Sequence, residues 1–187
     1  MTMRLLLVRH PGTATTRHGY VPDDEPAVGP LPSEVLAAGR LRVVTSPARR
    51  CRAPGGEVDP RLSQWNLARW RGCRLADLDP DALARWRADP TFAEHGGESL
   101  NELLWRVADL LDDWRSAAAG PSNERVVLVT HAAVIKAAVV TALCAPASAV
   151  WDVDVHPASL TELHGQARGW RVTYVNRRSD RTPSVAD

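Results

Sequence analysis

The sequence predicts an α/β fold with a mostly parallel sheet, and three observations predict it. Two short, continuous apolar runs, Leu5-Leu6-Leu7-Val8 and Val126-Val127-Leu128-Val129, suit strands buried on both faces. Each run stops abruptly at a histidine, in Arg9-His10 and in Thr130-His131. The second is followed at once by an apolar, helix-permissive stretch from Ala132 to Leu143. Ligands of open α/β sheets bind just beyond the carboxyl ends of the strands. That is where these strands deliver their histidines.

The other elements follow in order. Pro11 and Gly12 cannot continue the first strand. Thr13 to Arg17 is hydroxyl-rich, and His18 to Pro32 is a loop rich in proline, glycine and acids. Ser33 to Gly39 can make a short helix, with Gly39 as its stop. Leu41 to Ser46 is a second buried strand. Pro47 suits the first turn of a following helix, where its missing N–H costs nothing, and this puts Arg49 and Arg50 near a positive helix end. A helix is predicted from Pro80 to Arg87, broken by Asp89-Pro90. The longest helix opens on Ser99 and Glu102, a capping-box pair. Leu100, Leu103, Leu104, Val107, Leu110, Leu111 and Trp114 share one of its faces, and Arg106, Asp109, Asp113 and Arg115 share the other.

Gly120 to Asn123 reads as a turn, and Arg125 to Thr130 as the third parallel strand. Val150 to Val155, Ser159 to His164 and Trp170 to Val175 read as later strands, at an edge or antiparallel, with Gly165 and Gly169 in the turn between the last two. Residues 1–176 are expected to form one domain. Residues 177–187, charged and proline-containing, are expected to be a disordered tail. There is no internal repeat.

The totals exclude several classes. A length of 187 residues fits one domain with a sizeable core. A net charge of +1 offers no strong field for nucleic acid or an anionic membrane. Lys136 is the only lysine, every other basic residue being arginine, which points to a GC-rich genome more than to a function. Cys51, Cys73 and Cys144 are odd in number and lack metal-ligand spacing, so a reduced, cytoplasmic setting is expected. His18, His95, His156 and His164 show no ligand pattern either. Neither a signal peptide nor a membrane-spanning run is evident.

The ordered motifs resemble the histidine phosphatase superfamily, the phosphoglycerate-mutase-like fold, over roughly Met3 to Val175. That family carries Arg-His-Gly after its first strand; Arg9-His10 matches it, with Pro11 in the glycine place. A second histidine follows a later strand in a Ser-His-Gly-like setting, matched by Thr130-His131-Ala132. Arg50 stands at the phosphate-binding arginine of a Ser-Pro-x-x-Arg setting that begins at Ser46. Asp59 to Gly72 is similar to a segment whose glutamate is often the general acid; Gln64 occupies that place. Gly96-Gly97-Glu98-Ser99 matches a further family motif, and Thr16 falls where relatives place a polar phosphate contact.

The resemblance implies a three-layer sandwich with helices on both faces of the sheet, and a metal-independent phosphomonoesterase of the small-phosphatase branch. It assigns His10 as nucleophile and His131 as its supporting partner; Glu98 is the candidate catalytic carboxylate, with a carboxylate stabilised by the dipole at the start of the long helix as its other reading. Arg9, Arg50, Thr16 and Gln64 would bind the substrate phosphate. No metal or cofactor is implied. The expected partner is a small phosphorylated substrate, with a homodimer as the assembly considered and neither nucleic acid nor membrane involved.

The residue types suit the chemistry. Phosphoryl transfer depends on positioning and charge neutralisation. Arginine forks bind phosphate oxygens, a neutral imidazole can attack phosphorus, and nearby guanidinium groups keep that imidazole neutral. Gln64 cannot deliver a proton. Three readings of the leaving-group proton therefore stand open. Glu98 supplies it, the leaving group needs none, or turnover is lost and only phosphate-ester binding remains. A phosphomutase is the further alternative. Trp65, Trp70 and Trp86 are read as core, with an apolar substrate pocket as the other use.

Overall fold

The two apolar runs are neighbouring strands at the centre of the sheet. The computed structural model describes residues 3–15, 18–36, 41–117 and 125–178. Among these it forms strands β1 (Arg4–Arg9), β2 (Arg42–Thr45), β3 (Glu57–Val58), β4 (Arg125–Thr130), β5 (Ser159–Gln166) and β6 (Gly169–Arg178). The helices are α1 (Ser33–Leu36), α2 (Pro80–Ala88), α3 (Leu100–Ala117) and α4 (Ala132–Ala142). Strand order is β3-β2-β4-β1-β5-β6. The pairings β3-β2, β2-β4 and β4-β1 are parallel, while β1-β5 and β5-β6 are antiparallel. The α/β class and the antiparallel edge therefore match the reading of the sequence.

Alternation within the apolar runs divides the core in two. Leu5, Leu7, Val126 and Leu128 face α3 and α4, packing with Leu103, Val107, Leu110, Val134 and Ile135. Leu6, Val8, Val127 and Val129 face the other side, with Val35 of α1, Cys51 and Leu160. Burial on both faces explains why these strands show no polar alternation. Among the described residues the second face carries only the short α1, so its cover is thinner. Ser99 caps α3 as expected: its hydroxyl and N–H donate to Glu102 at 2.8 and 2.7 Å, and Glu102 N–H donates back at 3.2 Å.

The structure corrects four expectations. Pro47 does not start a helix; Arg49–Cys51 is a single 3-10 turn. Val150–Val155 is not a strand. Ala147–Trp151 is a 3-10 turn, and Val150 and Val155 are buried in the core that α4 completes. Their apolar spacing comes from packing onto helices, not from a sheet. Gly165 lies inside β5, close against Met3, so only Gly169 belongs to the turn. Finally, β6 continues through Arg177 and Arg178, two residues into the expected tail, because Leu160 and Ser159 pair with them. Gly39, the turn from Gly120 to Asn123 and residues 179–187 lie outside the described residues. Among those described, no helix is long and apolar enough to cross a membrane.

Candidate active site

The sheet register places the two histidines side by side. β1 and β4 run parallel with Arg9 opposite Thr130, and His10 N–H donates to Thr130 O at 3.0 Å. Adjacent strands lie about 4.8 Å apart. The imidazole centroids of His10 and His131 are accordingly 5.1 Å apart, edge to face. β2 lies on the other side of β4, and Ser46 N–H donates to Val129 O at 2.9 Å. Three parallel strands thus end level, presenting Ser46, His131 and His10 in a row. His131 is also the residue from which α4 starts, so the positive end of that helix opens onto the same place.

Hydrogen bonds orient both imidazoles and assign the His10 proton. His10 Nδ1 is 2.6 Å from Pro11 O. A carbonyl only accepts, so Nδ1 carries the proton and Nε2 keeps its lone pair. Arg50 Nε–H donates to that Nε2 at 3.3 Å. Pro11 lacks an N–H, yet its carbonyl does the orienting here. For His131, Nε2 lies 2.8 Å from Ser46 Oγ. Ser46 Oγ also accepts from Ala48 N–H at 3.3 Å, which fixes the hydroxyl beside the ring. The Cys51 thiol is 3.6 Å from the same nitrogen, and burial pushes its pKa to about 12, so it stays protonated. Every side-chain contact of the His131 ring is thus on Nε2, and its other ring nitrogen is Nδ1. That buried atom has no partner among the described residues, and neither does Arg9 Nε.

Both imidazoles are neutral. Burial pushes the His10 pKa down to about 4; the Pro11 bond opposes it, the guanidinium groups of Arg50 and Arg9 add to it, and Glu25 opposes it last. Burial, Arg50 and His10 hold His131 well below its ordinary value. Burial also lowers both arginines, and at Arg50 Cys51, Asp24, Glu25 and Asp23 oppose it. Arg50 is held by Asp23 O, which accepts from Nη1 at 2.5 Å. Arg9 is held from the other flank by Val155 O, also at 2.5 Å. Beneath them, Glu25 accepts from Thr13 at 2.8 Å and from the Thr15 hydroxyl, so the hydroxyl-rich stretch serves to anchor the acidic loop.

A cavity of about 430 Å³ adjoins the histidine pair through Ser46 and Arg50, with Ser63, Gln64, Asp23 and Asp24 also in its wall; His10, His131 and Arg9 lie behind that wall and do not line it. Gln64 reaches it because Thr130 Oγ1 donates to Leu62 O at 2.7 Å, fixing the segment against the end of β4. Glu98 sits behind that segment. Its carboxylate accepts from Arg106 Nε and Nη2 at 2.7 and 2.8 Å, and Trp65 Nε1 donates to its carbonyl at 2.6 Å. Thr16 lies outside the described residues. Asp23 and Asp24 bring carboxylates to the cavity that the sequence reading left inside a loop. Ser46 was only a landmark there; a serine one residue past a buried strand was the available signal.

Fold and site together define an α/β protein with paired neutral imidazoles and two guanidinium groups at the carboxyl ends of parallel strands. The chain belongs to the histidine phosphatase superfamily (branch 1), whose sequence profile matches residues 34–178. It is 37% identical over 120 residues to a glucosyl-3-phosphoglycerate phosphatase of Mycobacterium tuberculosis, covering 58% of this chain and 52% of that protein. The match thus spans about half the length of that relative. A solved mycobacterial glucosyl-3-phosphoglycerate phosphatase, in complex with VO3, superposes with a TM-score of 0.76 at 27% identity, covering 93% of this chain and 98% of that one. A phosphoserine phosphatase mutant from Entamoeba histolytica shares the fold, with a TM-score of 0.80 at 17% identity over 93% of this chain and 96% of that one.

Proposed function

We propose that this chain is a metal-independent phosphomonoesterase that hydrolyses a small phosphorylated metabolite through a phosphohistidine on His10. The observation that carries the reading is the His10 imidazole itself. It is neutral, its proton is fixed on Nδ1 by Pro11 O, and its Nε2 lone pair sits beside Arg50. The family and the glucosyl-3-phosphoglycerate phosphatase relatives support the same chemistry.

The steps balance as follows. Nε2 attacks phosphorus; an N–P bond forms, and the bond to the ester oxygen breaks. Arg50 Nε–H leaves His10 Nε2 for a peripheral oxygen, which frees the attacking lone pair; Arg9 binds a second oxygen, and the unpartnered Arg9 Nε and His131 Nδ1 gain partners. Gln64, in the cavity wall, supplies a further phosphate contact. Water then attacks phosphorus, the N–P bond breaks, and phosphate leaves with His10 restored.

The leaving oxygen needs a proton unless it is a weak base. Glu98 is the carboxylate assigned to supply it, and doing so would require leaving its Arg106 fork. Asp23 and Asp24 are the carboxylates that stand in the cavity wall, and they are the other candidates for that role. A second reading, a phosphate-ester binder with impaired turnover, is favoured by Gln64 and by a His10 that is only 3% exposed. Three unpaired cysteines support a cytoplasmic setting.

Incubation with an aryl phosphate separates the readings. Phosphate release that vanishes in His10→Ala is expected. Tight phosphate binding without release would leave the binder, and phosphate migration within a substrate would indicate a mutase.

A further inference from the structure

The phosphate chemistry leaves a second hollow unused. A smaller cavity of about 210 Å³ adjoins the larger one, and both are walled by Val21, Pro22, Gln64, Trp65 and Leu67. Ala132 and Ala133, the first residues of α4 and the direct neighbours of His131, also line it. The hollow therefore begins where the alcohol portion of a phosphate ester on His10 would lie.

Its wall is apolar and stiff. Trp65 and Trp86 stack with centroids 5.0 Å apart, and Trp86 meets Trp151 at 4.8 Å. Trp70, Phe92 and His95 back the cluster, with Trp70 5.6 Å from Trp86. Val150, Leu75 and the two alanines complete an apolar lining. A sugar or polyol would find few partners here for its hydroxyls, and burying unpaired hydroxyls is unfavourable. An aromatic or branched aliphatic skeleton would bury its surface well.

One cation interrupts this lining. Lys136, the sole lysine of the chain, lies one turn beyond Ala132 on α4 and borders the hollow. It is half-buried and makes no ion pair or hydrogen bond among the described residues. Burial lowers its pKa; Arg9 and Arg87 push the same way, and only Asp154 opposes them. Arg87 lies 5.4 Å over the Trp151 ring, adding positive charge at the same edge. Among the described residues Asp154 is the one carboxylate acting on this ammonium and makes no ion pair with it, so Lys136 stands at an apolar wall beside two guanidinium groups with its own donors free for a ligand anion.

We propose that this hollow binds the alcohol portion of the substrate, and that this portion is an aromatic or aliphatic skeleton whose anionic group, a carboxylate or its equivalent, meets Lys136. The inference rests on the reading of the His10 site as a phosphate site. It names a substrate class for that site and makes Lys136 its specificity determinant.

Non-hydrolysable phosphonates test it without interference from leaving-group reactivity. Affinities for 4-carboxybenzylphosphonate, benzylphosphonate and 2,3-dihydroxypropylphosphonate would be measured by calorimetry and by tryptophan fluorescence. Wild-type protein should bind the first roughly 10-fold tighter than the second, and the second roughly 10-fold tighter than the third. Lys136→Met should erase the first gap and keep the second, while Lys136→Arg keeps both. Equal affinities for all three in the wild type, or a carboxylate preference that survives Lys136→Met, would overturn the proposal alone. Failure of every phosphonate to bind would overturn the phosphate-site reading and this inference with it.

Discussion

His10 stabilises the folded chain by remaining neutral, and this can be measured apart from catalysis. The imidazole is 3% exposed, and burial with two guanidinium neighbours pushes its pKa from 6.5 to about 4. The folded value lies below the unfolded one. Between the two, the unfolded chain binds a proton that the folded chain refuses. Stability from this residue is therefore fully present above pH 6.5 and lost as pH falls toward 4. The difference, 6.5 − 4 or about 2.5 pH units, at about 1.4 kcal/mol each, makes roughly 3 kcal/mol. His131 titrates in the same direction, so wild-type protein alone would overstate the effect. The assay is urea unfolding of wild type and His10→Asn across this range. The stability advantage of wild type should shrink by roughly 3 kcal/mol on acidification. Parallel stability curves would refute the argument, because they would mean that His10 is not held neutral by its surroundings.

Three further outcomes follow from the geometry. Ser46→Ala removes the hydroxyl that holds His131 Nε2 and should cost roughly 10-fold in kcat with little change in KM, measured with an aryl phosphate. Gln64→Glu should raise turnover of alkyl phosphates more than of aryl phosphates, since only the former need a proton; no gain, combined with a loss in Glu98→Gln, would identify Glu98 as donor. Gly97→Ala should lower stability by about 3 kcal/mol or more in denaturant titration, because the added Cβ would collide with the backbone carbonyl of Asn66, which already accepts from Glu98 N–H at 2.7 Å.

The strands that carry the site were legible because burial on both faces leaves an unbroken apolar signature, as in Leu5 to Val8. The capping box at Ser99 was legible for a similar reason, being local. What joins the histidines was not. The pairing of β1 with β4 is a choice of neighbours across the sheet, and no local pattern records it. Val150 to Val155 misled because core packing on helices and burial in a sheet can select the same apolar residues. Pro47 permitted a helix but could not require one; three residues of 3-10 turn sufficed to bring Arg50 back to His10. Asp23 and Asp24 were hidden in an acidic loop, since their place depends on Arg50 binding the Asp23 carbonyl. Val155 was likewise unreadable as the anchor of Arg9, being fixed by a backbone carbonyl that any residue possesses.

The most direct test of the central claim is to trap the phosphoryl group on the protein. Acid-free rapid quench after mixing with an aryl phosphate, followed by mass spectrometry of peptides, should find one phosphoryl group on His10 and none in the His10→Ala variant. A protein that turns substrate over while never carrying phosphoryl on His10, or that carries it on His131 instead, would contradict the account.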